Sequence, residues 1–151
     1  MAIVDEIALA LELSRRFDAP PERLFQAWLG AEWGAWLPPF GATCEVVALD
    51  AAPGGRYRIR MAMPDGRRIE ISGKYREIDR PRRLVLDWTG SYNNQETVIT
   101  VTFRPDGAGT LMTLQQTGFV DVALCDGYRK GWSAPGGSLD KLAACLAGRS
   151  V

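Results

Sequence analysis

Residues 56–63, RYRIRMAM, alternate without a break: Tyr57, Ile59, Met61 and Met63 share one parity, and Arg56, Arg58 and Arg60 the other. Successive side chains of an extended chain point to opposite faces, so this is a strand with one dry face and one wet face. Pro64-Asp65-Gly66 follows as a tight-turn signal. The chain then returns as RRIEISGKYREI, with Ile69, Ile71 and Tyr75 opposite Arg68, Glu70, Lys74 and Arg76. A lone hairpin is marginal in water. A hairpin with one apolar face therefore demands more strands and a cover for that face.

The rest of the chain supplies both. Leu9, Leu11 and Leu13 alternate with Ala10, Glu12 and Ser14, which predicts a first strand ending near Phe17. Asp18 or Ala19 can start a helix, and Pro20-Pro21 suits a first helical turn. PERLFQAWL then places Leu24, Phe25, Trp28 and Leu29 on one stripe, and AEWGAWL forms a second short helix ended by Pro38-Pro39. Further strands are expected at residues 43–49, 83–88, 97–103 and 109–117, with Pro105-Asp106-Gly107 as a second hairpin turn. About seven strands joined mostly by short turns make an antiparallel meander. Past Phe119 the period lengthens: Val122, Cys125, Tyr128 and Trp132, then Leu139, Leu142, Ala143 and Leu146, repeat at helical spacing. Ala134-Pro135-Gly136-Gly137 should kink or interrupt that helix. The expected architecture is one α+β domain over residues 1–151. A curved antiparallel sheet wraps a long C-terminal helix, with two short helices after the first strand. Such a grip leaves an apolar gap at its wide end, where a ligand fits.

Composition narrows the chemistry. The chain has no histidine, which removes Ser-His-Asp and Cys-His triads and the common zinc and non-haem iron constellations. There is neither GxGxxG nor GxxxxGK[ST], so no nucleotide loop is visible and no cofactor is expected. Lys plus Arg equals Asp plus Glu, 18 each. A neutral total lacks the electrostatic signature of nucleic-acid or anionic-membrane binding. Cys44, Cys125 and Cys145 are odd in number with no CxxC pair. The first 13 residues, MAIVDEIALALEL, are too acidic for a signal or a span. A reduced, cytoplasmic setting is the expectation.

An ordered series of short motifs carries a family likeness. It begins with Arg15, Phe17-Asp18-Ala19-Pro20, Leu24-Phe25-Gln26-Ala27-Trp28 and Trp36 with Pro38-Pro39. Pro53-Gly54-Gly55-Arg56-Tyr57, Gly73-Lys74-Tyr75 and Pro81 with Arg83-Leu84-Val85 follow. Thr117-Gly118-Phe119, Gly131-Trp132 and Ser138-Leu139-Asp140-Lys141-Leu142 close it. In this respect the chain resembles the START-like, or SRPBCC, superfamily, and within it the bacterial homologues of the activator of the ninety-kilodalton heat-shock-protein ATPase. The resemblance implies a helix-grip fold with a deep internal cavity, and a chaperone-linked, stress-related context. It carries no shared catalytic motif, because this fold serves carriers, receptors and cyclases alike. The chain departs from the pattern in the long 133–137 spacer, and in Gln116, where relatives often have an ionisable residue such as His.

Inner-face residues with polar tips or soft sulfur are the ligand-binding candidates: Tyr57, Met61, Met63, Tyr75, Trp88 and Gln116. Trp33 and Trp132, with Trp28 and Trp36, are expected at the cavity mouth or in the core beside it. Arg15 and Glu77 fall near inner parity as an ion pair inside the cavity or at the sheet edge. Tyr92-Asn93-Asn94 is a loop tip near the pocket. Three functions fit these residues. The first is a non-catalytic carrier or sensor of a small hydrophobic or amphipathic molecule. The second is a cyclase-like or hydrolase-like enzyme with Glu77, Asp87 or Tyr75 moving a proton. The third is a chaperone-partner module docking through the outer basic face. An exposed edge strand or the Trp33 segment could also support a homodimer.

Overall fold

A computed structural model describes residues 9–91 and 95–148. The Tyr92-Asn93-Asn94 expectation lies outside the described residues. The chain runs β1 (Ala10–Phe17), α1 (Pro21–Trp28), α2 (Trp33–Trp36), β2 (Thr43–Leu49), β3 (Arg56–Ala62), β4 (Arg68–Asp79), β5 (Arg83–Gly90), β6 (Gln95–Asp106), β7 (Gly109–Thr117), α3 (Val122–Ser133) and α4 (Ser138–Leu146). Seven antiparallel strands form one sheet in the order β1-β7-β6-β5-β4-β3-β2. From β2 to β7 it is a plain meander. The α1–α2 segment carries the chain from one edge of the sheet to the other.

The alternation in β3 is realised residue by residue: Tyr57, Ile59 and Met61 are buried, while Arg56, Arg58 and Arg60 are exposed. Ile59 pairs with Ile71 and Met61 with Ile69 across β3 and β4, which fixes one apolar face. In β4 the parity breaks. The register shifts between Tyr75 and Glu77, so Glu77 stands opposite Val85, and Ile78 opposite the buried Leu84. This β-bulge inserts one residue and turns Glu77 to the outer face. The expected Arg15–Glu77 pair is therefore not made: Glu77 pairs with Arg83 at 3.3 Å, and Arg15 with Asp140 at 2.8 Å. The second hairpin also differs slightly. Pro105 stays in β6 opposite Thr110, Asp106 pairs with Gly109, and the tip is Gly107-Ala108.

Helix α1 begins after Pro20, with Pro21 in its first turn, and buries Leu24, Phe25, Ala27 and Trp28. The fixed φ of proline suits a position whose N–H has no helical partner. The C-terminal helix is interrupted as the sequence predicts. Ala134, held extended by the following Pro135, caps α3, and Gly137 caps α4. Gly136 takes φ +81°, a left-handed turn that suits glycine. Asp140 secures the restart by accepting the Gly136 N–H at 3.0 Å while Arg15 of β1 grips its other oxygen. Val122, expected on the apolar stripe of α3, is 62% exposed; Cys125 and Trp132 carry the burial of that helix.

Candidate functional site

Between the β3–β5 part of the sheet and α3 lies a cavity of about 300 Å³. That is at the lower end of ligand-pocket volumes, roughly 300–1,000 Å³. The sheet contributes Met61, Ile71 and Trp88, with the half-buried Met63 and Ile69. Helix α3 contributes Leu124, Gly127, Tyr128, Gly131 and Trp132, and Leu37, Pro39 and Ser138 lie at the α2–α4 side. Among the described residues no charged side chain lines it. An ionised group on a ligand would find no counter-charge there, and a buried unpaired charge is costly.

Met61, Met63, Trp88 and Trp132, four of the sequence candidates, line this cavity. Tyr57, Tyr75, Trp33 and Gln116 do not; they are packed behind the lining. All five tryptophans join one aromatic chain. Ring centroids run Trp36–Trp28 5.0 Å, Trp28–Trp132 5.7 Å, Trp132–Trp88 6.0 Å and Trp88–Trp33 5.9 Å, with Tyr57 5.0 Å from Trp33 and 5.8 Å from Tyr75. Such contacts favour tilted and edge-on rings, and each fully buried large side chain stabilises the fold by about 1.5–3 kcal/mol.

The polar tips behind the lining have protein partners. Tyr57 donates to the Asp87 carbonyl and Tyr75 to the Leu29 carbonyl, both at 2.6 Å. Burial pushes both phenols well above their ordinary pKa, which keeps them protonated near neutrality. Gly73 makes room for this arrangement: a Cβ there would sit 2.0 Å from the Asp87 oxygen and 3.0 Å from the Tyr57 ring.

Gln116 is fully buried on β7. Its Oε1 accepts the Trp132 indole N–H at 3.0 Å, and its Nε2 donates to Thr97 Oγ1 at 2.9 Å. Thr97 in turn donates to the Trp88 carbonyl at 2.7 Å. Because an indole N–H only donates, the amide orientation is fixed. The relay thus ties two cavity-lining tryptophans, on α3 and β5, through one amide. Trp28 and Trp36 also place their N–H groups, on Met112 Sδ and the Ala27 carbonyl. Among the described residues, the buried indole N–H groups of Trp33 and Trp88 have no partner. Of these two rings only Trp88 lines the cavity.

The proton-transfer candidates are not gathered. Glu77 pairs with Arg83, Asp87 is held by Arg76 at 2.5 Å, and neither lines the cavity. Cys44 is half-buried and its thiol is pushed up to about 11, chiefly by burial, so it carries little thiolate near neutral pH. Among the described residues no three His, Cys, Asp or Glu side chains come together as metal ligands. No helix among them is long and apolar enough to cross a membrane.

Two lining residues give no signal in a hydrophobic-period reading: Gly127 and Gly131, inside α3. Glycine in a helix interior costs about 0.8–1.0 kcal/mol relative to alanine. A Cβ at either position would meet no atom within 4 Å, so close packing does not demand glycine there. Two glycines four apart in an otherwise amphipathic helix were the signal available.

A curved seven-stranded sheet closed over a broken C-terminal helix, with an uncharged cavity between them, defines a helix-grip domain of the START-like class. Residues 18–147 match the family described as "Activator of Hsp90 ATPase homolog 1-like protein", and the chain belongs to that family. No curated protein matches it. Among solved structures, a Chromobacterium violaceum protein is 30% identical, covering 90% of this chain and 96% of its own, with a TM-score of 0.81. A Rhodobacter sphaeroides protein is 25% identical, covering 93% and 94%, with a TM-score of 0.77. The AHSA1 protein of Silicibacter pomeroyi is 26% identical, covering 91% and 97%, with a TM-score of 0.72.

Proposed function

We propose that this protein is a non-catalytic carrier or sensor that binds a small, largely apolar molecule in the cavity between β3–β5 and α3. The observation that carries the reading is the lining of this cavity: among the described residues no charged side chain borders it, and Met61, Met63, Trp88 and Trp132 are among its walls. A buried unpaired charge is costly, so the ligand is neutral where it is buried. Met61 and Met63 supply an adaptable apolar wall. Tyr57, Tyr75, Trp33 and Gln116 hold the lining in place from behind.

Native mass spectrometry of freshly purified protein, against a denatured control, is the first test. An added mass that is lost on denaturation, and is reduced in Trp88→Phe, supports the reading. A bare mass, with no uptake of small neutral ketones offered at millimolar concentration, overturns it.

A chaperone contact is the second reading. It is favoured by the family's description and by the exposed row Arg56, Arg58 and Arg60 on the outer face of β3. Salt-insensitive or absent retention of the chaperone on immobilised protein would remove it.

A further inference from the structure

We infer that Arg56, Arg58 and Lys74, on the outer face of β3 and β4, form a docking surface for a short acidic segment of a partner protein. The surface lies on the side of the sheet away from the cavity. The inference stands whether or not the cavity holds a ligand, and whether or not the partner is a chaperone. Arg56 stands directly opposite Lys74 in the β3–β4 register, and Arg58 opposite Ser72. Alternate residues of one strand lie about 6.8 Å apart, and directly opposed ones about 4.5–5.5 Å. The four residues thus mark the corners of a small rectangle, with cations at three corners and a hydroxyl at the fourth. Arg56, Arg58 and Lys74 are exposed, on the face opposite to the buried Tyr57, Ile59 and Tyr75.

Neighbouring cations on this part of the sheet are neutralised. Arg60 meets Glu70 at 3.5 Å, Arg76 meets Asp87 at 2.5 Å and Arg83 meets Glu77 at 3.3 Å. Among the described residues no carboxylate pairs with Arg56, Arg58 or Lys74. Asp50 reaches Arg56 through the backbone, its N–H donating to the Arg56 carbonyl at 2.9 Å. Like charges directly opposite each other on two strands destabilise a sheet, so the fold gains nothing from Lys74 facing Arg56. Carboxylates of a partner remove that repulsion, and each guanidinium fork can take one bidentately. The same face limits the breadth of the partner. Glu45 and Glu70, both opposite Arg60, border the cations on one side, and Asp87 of β5 borders them on another. A broad polyanion, such as a nucleic acid or an anionic bilayer, would press against those carboxylates, and the chain's neutral total offers it no wider attraction. A short acidic segment avoids them.

The test measures binding of a fluorescein-labelled hexaglutamate peptide to the full chain by fluorescence anisotropy. The wild type is expected to bind at about 50 mM salt and to lose most of that binding at about 500 mM, because exposed charges are screened. Lys74→Glu should weaken binding ~10-fold or more, as a cation gives way to a repelling carboxylate. It should also melt at a higher temperature than the wild type, because an opposite charge then faces Arg56. Loss of binding is thereby separated from loss of fold. Arg58→Ala should weaken binding in the same direction. Arg104→Glu changes the net charge equally from an exposed position on β6, and should leave the affinity unchanged within about twofold. Equal losses in Lys74→Glu and Arg104→Glu would reveal a net-charge effect only and overturn the assignment. Absence of wild-type binding at low salt overturns it too, as does a single-stranded DNA of the same charge binding as tightly as the peptide. If Lys74→Glu melts lower, Arg58→Ala carries the comparison, and unchanged affinity there overturns the assignment. None of these outcomes touches the cavity reading.

Discussion

Trp132 donates its indole N–H to Gln116 Oε1 at 3.0 Å, which joins the helix that closes the cavity to the strand beneath it. Both residues are almost wholly buried, so the bond is shielded from water and its loss leaves a stranded donor. Gln116→Met keeps the length of the side chain and removes both polar atoms. It should destabilise the protein by about 1–3 kcal/mol, the cost of an unpaired buried donor. Trp132→Phe removes the donor as well. A double-mutant cycle by urea unfolding should give a coupling of about 0.5–3 kcal/mol. Additive effects would show that the bond contributes nothing.

Trp88 and Trp33 test cavity chemistry against packing. Both indole N–H groups are buried without partners, and the two rings lie 5.9 Å apart, but only Trp88 lines the cavity. Phenylalanine at either position removes a donor and some buried area, so the two stability changes should agree within about 1 kcal/mol. Only Trp88→Phe should lower the affinity for a small neutral ketone, by about tenfold, the equivalent of 1.4 kcal/mol. Equal losses in both variants, measured by calorimetric titration, would mean that the effect is one of core packing and not of contact with the ligand.

Much of this site is written in the alternation of β3. Tyr57, Ile59, Met61 and Met63 share a parity that the fold preserves, and that parity leads directly to the methionine wall. Parity reports the face of a sheet and not the depth along it. Tyr57 and Met61 therefore read alike, although Tyr57 is sealed against Trp33 and Met61 lines open space. That distinction depends on where α3 crosses the sheet, which no local pattern encodes. Glu77 shows a second limit: one bulge residue after Tyr75 reverses every later assignment in β4. Gln116 shows a third. Its inward position is legible from β7, but its partners, Thr97 and Trp132, lie 19 and 16 residues away in sequence.

Gly73 offers a control for the glycines of α3. A Cβ at Gly73 would collide with the Asp87 carbonyl at 2.0 Å, and backbone cannot step aside as a flexible side-chain end can. Gly73→Ala should therefore push β4 from β5, weaken the Tyr57–Asp87 hydrogen bond and destabilise by at least about 1–3 kcal/mol, the usual cost of overpacking. Gly127→Ala, with nothing to strike, should stabilise by up to about 1 kcal/mol. Thermal unfolding of the two variants side by side should show shifts of opposite sign. A shared sign would mean that the space around one of these glycines differs from the one described.

Asp140 links the restart of the C-terminal helix to β1, and it gives that link a pH dependence. Its carboxyl is held below the usual range, first by the Arg15 guanidinium and then by the Gly136 N–H. A carboxylate with a depressed folded-state pKa contributes stability that is fully present above its unfolded value, about 3.9. That contribution is lost as pH falls through the folded-state value. The side chains of Arg15 and Asp140 are 36% and 46% exposed, so solvent screening keeps it small, within the 0–1 kcal/mol of surface pairs. Asp140→Asn retains an acceptor for Gly136 but not the charge. The wild type should exceed the variant in stability at pH 6, and the gap should narrow as pH falls below about 4, with 0.5 M salt narrowing it at pH 6. A gap that changes with neither acid nor salt would assign the role of Asp140 to its hydrogen bond with Gly136 and not to its charge.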